Sequence, residues 1–105
     1  MQPFAFQLLP AAERDFFNQV HWLEVNYSSA AADRFAEQVY ELINRLRHQP
    51  YLASPLDRKE GRIYKALIDK RYLLFYTVED EHALIKILAI RGAAEDWTNQ
   101  PLPTD

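Results

Sequence analysis

Two apolar stripes at helical spacing, separated by only a few residues, constrain the fold of this chain more than any other feature of its sequence. The first stripe has members at i, i+4, i+7 and i+11: Phe16, Val20, Leu23 and Tyr27. The second has six members with the same periodicity: Ala32, Phe35, Val39, Leu42, Ile43 and Leu46. Each stripe marks a helix face that must be buried. Because the link between them is so short, the sequence predicts an antiparallel two-helix hairpin.

The ends of both predicted helices carry the expected signals. Pro10 suits the first turn of the first helix, where its missing N–H has no intrahelical partner to lose. Ser28 or Ser29 can cap the second helix by accepting a hydrogen bond from a free backbone N–H. Pro50 stops this helix. Its last turn is basic, as the helix dipole favours, and contains Arg45, Arg47 and His48.

The remaining apolar runs predict strands. Residues 4–9 form a short run before the first helix, and three more runs follow at about 62–68, 72–78 and 83–91. The short polar links between these last three imply antiparallel hairpins, and the continuous apolar middle run predicts a central strand covered on both faces. Residues 50–61 carry two prolines and a glycine and are predicted to form a loop. We therefore predict an α+β fold: an N-terminal strand, a two-helix antiparallel hairpin, and a three-stranded antiparallel sheet packed against the helices.

Composition bounds the class of protein. The 105 residues are 49% hydrophobic, which favours a single domain, here residues 1–97, followed by a loose polar tail at 98–105. The chain has no cysteine, no signal-peptide pattern and no apolar run of membrane-spanning length, so we expect a soluble cytoplasmic protein. Its formal net charge of −3 argues against direct sequence-specific binding to nucleic acid, since such proteins normally carry a basic surplus.

Motifs for the common catalytic and cofactor chemistries are missing from the sequence. It contains no P-loop, no dinucleotide-binding glycine fingerprint, no HExxH and no GxSxG. The histidines, His21, His48 and His82, lie on separate predicted elements without ligand spacing, and residues 79–81 (EDE) are interpreted as a solvated turn. We therefore expect neither a metal site nor a bound cofactor.

One set of residues could still carry chemistry. Strand alternation places Lys65 within an otherwise apolar strand and places Arg91 on one face with Ile85, Ile87 and Ala89. If Lys65 and Arg91 face a common groove, these cations could hold a phosphate while the nearby Trp97 stacks on a base. In the alternative interpretation, each cation extends to water at a sheet edge and the tryptophan only packs the tail.

The order of these elements resembles the RelE/ParE superfamily of bacterial type II toxins, over roughly residues 4 to 97. The most specific parts are residues 31–35 (AADRF), Leu46 with Pro50, and residues 72–76 (YLLFY). The resemblance implies a toxin that is neutralised by a cognate antitoxin. RelE-like members cut messenger RNA on the ribosome with a basic and aromatic set of residues. ParE-like members, known from plasmid stabilisation systems, lack most of that set and inhibit DNA gyrase.

The chain matches the RelE pattern only in part. Lys65 and Arg91 match two of its cations, whereas Leu67 and Leu73 stand where a second lysine and an arginine are expected. Trp97 stands where RelE-like enzymes usually carry a tyrosine. Leucine cannot stabilise charge that develops on a phosphate, and one such donor is typically worth about 10²–10³ in rate. Tryptophan can stack but has no O–H to donate.

These comparisons leave three hypotheses. The first is a ParE-like toxin that binds a protein target, with DNA gyrase expected by resemblance, and that is not an enzyme. The second is a RelE-like, ribosome-dependent endoribonuclease whose catalytic set would be Lys65, Arg91 and Trp97. The third is a domain of the same fold that has lost toxicity and persists as a binding partner. Under the first two, the expected partners are the cognate antitoxin and either gyrase or the ribosome.

Overall fold

The computed structural model describes residues 2–56 and 63–93. Trp97, Arg62 and the predicted tail at 98–105 lie outside these ranges. The elements along the chain are β1 (Ala5–Leu8), α1 (Pro10–Asn26), α2 (Ser29–His48), β2 (Ser54–Pro55), β3 (Ile63–Ile68), β4 (Tyr72–Glu79), a 3-10 turn (Asp80–His82) and β5 (Leu84–Gly92).

The strands form one five-stranded sheet in the order β1-β5-β4-β3-β2. The α+β class and the two-helix hairpin are confirmed. The predicted three-stranded sheet is wrong in detail, because β1 joins the same sheet, parallel to β5, and β2 pairs antiparallel with β3. β2 lies inside the predicted loop 50–61. Two residues are too few to produce an alternating pattern, so no sequence signal marks this strand.

Helix α1 begins at Pro10, as predicted, and buries Phe16 and Leu23. The prediction that Tyr27 continues the buried stripe is wrong, since its side chain is 71% exposed. The helix ends at Asn26, and the backbone of Tyr27 (φ −131°, ψ −84°) has left the helical region. Helical spacing therefore no longer sets the direction of this side chain, and its ring packs against Trp22 instead, with centroids 5.5 Å apart.

Helix α2 follows the prediction closely. The side chain of Ser28 caps it by accepting a hydrogen bond of 3.0 Å from the backbone N–H of Ala31. All six members of its predicted stripe are buried. The ring of Phe35 stacks on Phe16 of α1 at 5.8 Å and meets Tyr72 of β4 edge-on at 4.8 Å. The two helices therefore share one core with the sheet face that they cover.

The central strand is buried on both faces, as its apolar run predicts. Leu74 and Tyr76 of β4 belong to the core beneath the helices. Leu73 and Phe75 point the other way, into a second, smaller cluster with Leu9, Leu88 and Ala89. We call the side of the sheet that carries this second cluster the far face.

In residues 2–56 and 63–93, neither helix combines the length and the apolar character that a membrane span requires.

Replacing Ser28 with alanine should destabilise the protein by about 1 kcal/mol, because the N–H of Ala31 would lose its capping partner. For a domain of this size that change corresponds to a Tm lower by roughly 4–8 °C. Differential scanning calorimetry measures it directly. Ser29→Ala is the matched control, since Ser29 is the first residue of α2 and not its cap. Equal effects of the two substitutions would contradict the assigned cap.

Candidate functional site

Lys65 lies on the far face of the sheet, half-buried in β3. Its strand neighbours Tyr64 and Ala66 pack into the core beneath the helices, so Lys65 must point to the opposite side. Across the sheet it pairs with Phe75, which in turn pairs with Ala89. The sequence pattern also predicts that Lys65 shares a face with Ile63 and Leu67, opposite Arg62, Tyr64 and Ala66. The positions of Tyr64 and Ala66 confirm this alternation, whereas Arg62 lies outside the described residues.

Arg91 reaches the same face through an irregularity in β5. The register between β4 and β5 shifts at Phe75 and Tyr76, which pair with Ala89 and Ile87, so that Leu88 has no residue opposite it. Such a β-bulge reverses the alternation beyond it. The prediction that Ile85, Ile87, Ala89 and Arg91 share one face is therefore wrong. The two isoleucines lie beneath the helices, Ala89 lies on the far face, and Arg91 lies there too because it pairs with Leu73.

The two cations thus share a face but are not adjacent. Strand β4 lies between their strands, and their rows are offset by two residues along the sheet, which places their Cα atoms roughly 12 Å apart. Between them lie the buried side chains of Leu73 and Phe75, and Leu67 completes the row that contains Leu73 and Arg91. This part of the site therefore presents two spaced cations over an apolar floor. It could hold two separate anionic groups, but Lys65 and Arg91 alone provide no acid–base pair.

The predicted acidic turn carries local contacts. Glu79 binds Lys86 of β5 at 3.0 Å and lies 3.4 Å from His82, while Asp80 and Glu81 are exposed. Among the residues that the structure describes, no group of three His, Cys, Asp or Glu side chains could hold a metal ion.

A groove at the edge of the sheet was missed from the sequence. It has a volume of about 460 Å³ and lies between the C-terminal half of α2, the segment after it and β3. Its walls carry the buried Leu42, Leu46 and Leu73, and its rim carries Leu52 and Leu67, which are 52% and 53% exposed. Arg45 and Lys65 supply its cations. We call this feature the edge groove.

Among residues 2–56 and 63–93, no strand pairs with the part of β3 that lies beside the edge groove. β2 pairs only with Tyr64 and Lys65, so Leu67 lies beyond its reach. The carbonyl of Ile63 accepts a hydrogen bond of 2.8 Å from the N–H of Leu56, which shows that Ile63 directs its backbone groups to the β2 side. In an antiparallel strand every second residue directs its backbone groups to the same side. Leu67, four residues after Ile63, therefore directs its N–H and C=O to the β2 side as well.

Three tyrosines in contact with one another hold the segment that follows α2 and forms one wall of the edge groove. The hydroxyl of Tyr76, itself fully buried, donates to the carbonyl of Pro50 at 2.8 Å. The ring of Tyr64 stacks on Tyr76 at 5.4 Å and meets Tyr51 edge-on at 5.7 Å. The Tyr51 hydroxyl donates to the carboxylate of Asp80, and that hydrogen bond raises the pKa of Tyr51 to about 12. Burial raises the pKa of Tyr76 to about 12.

Comparisons with known proteins agree with this architecture. The sequence profile of a family described as the ParE toxin of the type II toxin–antitoxin system parDE matches residues 6–97. No curated protein sequence matches the chain.

The fold is shared by several solved structures, three of which are compared with this chain. The chromosomal ParDE toxin–antitoxin system from P. aeruginosa superposes with a TM-score of 0.70 at 14% identity, covering 85% of this chain and 95% of that one. The RelBE2 toxin–antitoxin complex from Mycobacterium tuberculosis gives 0.57 at 20% identity, covering 86% and 98%. The conserved hypothetical protein HP0894 from Helicobacter pylori gives 0.53 at 18% identity, covering 88% and 97%.

We expect the phenols of Tyr51 and Tyr76 to remain protonated well above pH 10.0, the ordinary tyrosine pKa, because both pKa values are raised to about 12. The folded state therefore holds these protons more tightly than the unfolded chain. Their contribution to stability is complete below pH 10.0 and is lost as the pH rises towards about 12.

Tyrosinate absorbance, recorded together with urea unfolding at several pH values, measures both effects. In Tyr51→Phe one of the late-titrating groups should disappear while that of Tyr76 remains. The expectation would be contradicted if all six tyrosines ionised together near their ordinary pKa while the protein was still folded.

Proposed function

This chain belongs to the ParE toxin family of type II toxin–antitoxin systems, and we propose that it inhibits growth by binding a protein target, DNA gyrase, without cutting RNA. The binding activity would require no cofactor and no metal. A cognate antitoxin would neutralise it. Because gyrase acts inside the cell, we also propose a cytoplasmic location.

The observation that carries this proposal is the row formed by Leu67, Leu73 and Arg91 on the far face. Two of its three members are apolar, and the side chain of one of them, Leu73, is only 9% exposed. A ribonuclease must stabilise negative charge on a phosphate at the reacting centre, usually with several fixed donors. A row with one cation and two leucines is poorly suited to that task.

The overall charge supports the same choice of target. A toxin that docks into ribosomal RNA gains affinity by neutralising phosphates, and this gain depends on an excess of lysine and arginine. The chain has 12 such residues against 15 Asp and Glu. A protein surface does not impose that requirement, so a net charge of −3 is compatible with gyrase as the target.

The family and the structural relatives support an antitoxin as the partner. RelBE2 and ParDE are described as a toxin–antitoxin complex and a toxin–antitoxin system. This chain also exposes several large apolar side chains that a partner could cover, among them Phe17, Trp22 and Val25 on α1 and Leu52 and Leu67 at the edge groove.

A RelE-like endoribonuclease is the second candidate, and one observation favours it. The β-bulge at Leu88 brings Arg91 to the face that carries Lys65, so the two retained cations could contact one RNA chain at neighbouring phosphates. Trp97 would complete this set. A domain without toxicity is the remaining alternative, and expression without growth arrest would identify it.

Induction of the chain alone should stop DNA synthesis before protein synthesis, because gyrase inhibition blocks replication first. Pulse labelling of both processes just after induction measures the order. The purified chain should also inhibit gyrase supercoiling in vitro. Protein synthesis stopping first, together with unaffected supercoiling in large excess of the chain, would exclude gyrase and favour the ribosomal target.

Replacement of Arg91 with alanine should leave growth inhibition within about twofold of the wild type if the toxin is not a nuclease, since removing a catalytic phosphate-binding donor would cost about 10²–10³ in rate. The measurement is growth after graded induction, with primer extension on cellular messenger RNA. Arg14→Ala, at an exposed position on α1, is the matched control. Loss of codon-specific cleavage in the folded Arg91→Ala variant alone would establish the ribonuclease instead.

A further inference from the structure

We propose that two copies of this chain associate through the outer edge of β1, in an antiparallel arrangement about a two-fold axis at Gln7. The sheets of the two copies would then continue into each other, with both helix hairpins on the same side. This inference goes beyond the proposed function and applies equally to a toxin that acts on gyrase and to one that acts on the ribosome.

The unpaired backbone of β1 is the first support. β1 is the last strand of the sheet, and in the part of the chain that the structure describes no strand lies on its outer side. The N–H groups of Ala5 and Leu9 donate to carbonyls on the β5 side, with N···O distances of 2.8 and 3.0 Å. Every second residue of a strand directs its backbone groups to the same side, so those of Phe4, Phe6 and Leu8 are directed outward.

The helix hairpin limits this outer edge to two residues. At its start, the N–H of Phe4 donates to the carbonyl of Arg47 at 2.8 Å, and the Nε of Arg47 donates back to the carbonyl of Phe4 at 2.6 Å. At its end, α1 begins at Pro10. Within the described residues, Phe6 and Leu8 are thus the two positions of the edge that an added strand can reach. An edge this short offers a foreign peptide few main-chain hydrogen bonds.

A second copy matches this short edge by symmetry. With Gln7 on the two-fold axis, Phe6 of each copy lies opposite Leu8 of the other copy. Both residues are directed outward, so each pair can exchange N–H···O=C hydrogen bonds in both directions, as the hydrogen-bonded pairs of antiparallel strands do. The two Gln7 side chains meet on the far face, where an amide can pair with its own copy because it is both donor and acceptor.

Exposed aromatic rings beside the edge are the second support. Phe6 is 36% exposed and Tyr40 of α2 is 47% exposed, and their rings meet edge-on with centroids 6.5 Å apart. Tyr40 in turn meets the buried Phe16 with centroids 5.7 Å apart. Leu8 is partly buried against the same core. In the pair of copies, Phe6 and Leu8 of opposite strands would cover each other, so apolar surface would leave water together with the backbone groups.

Opposite charges at the two ends of the edge favour an antiparallel copy. The start carries Arg47, whose guanidinium carbon lies 5.7 Å from the ring centroid of Phe6. The end carries Glu13, which is exposed in the first turn of α1 and whose backbone N–H donates to the carbonyl of Leu9 at 2.9 Å. In the antiparallel pair, Arg47 of each copy approaches Glu13 of the other. A uniformly acidic or basic peptide would instead meet a like charge at one of the two ends.

The size of the contact predicts a weak, reversible dimer. The strands that meet have four residues each. Such a contact is smaller than the roughly 1,600 Å² that a standard interface buries, and small interfaces are typical of transient complexes. We therefore expect a dissociation constant on the order of 10–100 μM.

Sedimentation velocity of the full chain, at concentrations from about 1 to about 500 μM, measures this association. The mass should rise from the 12.4 kDa of one chain towards twice that value. Gln7→Lys should weaken the association at least about tenfold, because it places two like charges on the axis. Asn18→Lys, which replaces an exposed amide on α1 in the same way, is the matched control and should change it less than about twofold.

The two-fold axis and the charged ends each predict a further result. Gln7→Glu alone should weaken the association as Gln7→Lys does, whereas an equimolar mixture of the two variants should associate again, since opposite charges then meet on the axis. Glu13→Ala should weaken the association about two- to tenfold. Arg14→Ala, at an exposed position about 100° further round α1, should change it less than about twofold. Thermal unfolding of each variant verifies that the fold is retained.

Hydrogen exchange locates the contact. The amides of Phe6 and Leu8 should exchange quickly in the dilute chain and slow down as the concentration rises. The amides of Ala5 and Leu9, which are bonded on the β5 side, should be protected at every concentration.

Several outcomes would overturn the proposal. A chain that stays monomeric up to about 500 μM would do so, as would a dimer that neither substitution of Gln7 affects. Protection of the Phe6 and Leu8 amides that is independent of concentration would show that another segment of the same chain covers the edge. A dimer in which the slowed amide is that of Leu67 would place the contact on β3, towards the opposite end of the sheet, and would equally exclude β1.

Discussion

The burial of β4 on both faces is the constraint on which the rest of this structure depends. Consecutive side chains of the strand must fill two separate cores, and Phe75 and Tyr76, with no exposed surface at all, sit at the division between them. The helix hairpin covers one face, while the far face is closed by Leu9, Leu88 and Ala89. A central strand of this kind tolerates no slip in register, since a shift of one residue would exchange the contents of the two cores.

The candidate site and the edge groove arise where neighbouring strands adapt to this constraint. β5 inserts Leu88 opposite the step from Phe75 to Tyr76, and this bulge turns Arg91 to the face of Lys65. On the other side of β4, the hydroxyl of Tyr76 reaches through the core to the carbonyl of Pro50 and fixes the wall of the edge groove. One buried dipeptide therefore determines both the position of a cation and the shape of a groove.

The sequence was most informative where the structural signal is local. Helical periodicity identified every buried member of the α2 stripe, because packing along a helix depends on residues three or four positions apart. The bulge at Leu88 and the two-residue strand β2 produce no such periodic pattern. The sequence could therefore not establish that Lys65 and Arg91 lie on the same face of the sheet. The edge groove was invisible for a related reason. Its walls come from residues that are distant along the chain. The strand edge beside it is defined by where the pairing of β2 with β3 ends, and the sequence does not show where a pairing ends.

The parallel pairing of β1 with β5 has a consequence for synthesis on the ribosome. Ala5 emerges long before its partner, Leu84. Helix α1 also packs against β5 through the hydrogen bond that the Ile90 N–H donates to the Asp15 carboxylate. Contacts between such distant segments form late in folding. The nascent chain therefore cannot complete its sheet before β5 has been synthesised, and a product terminated before β5 lacks the strand that lies between β1 and β4.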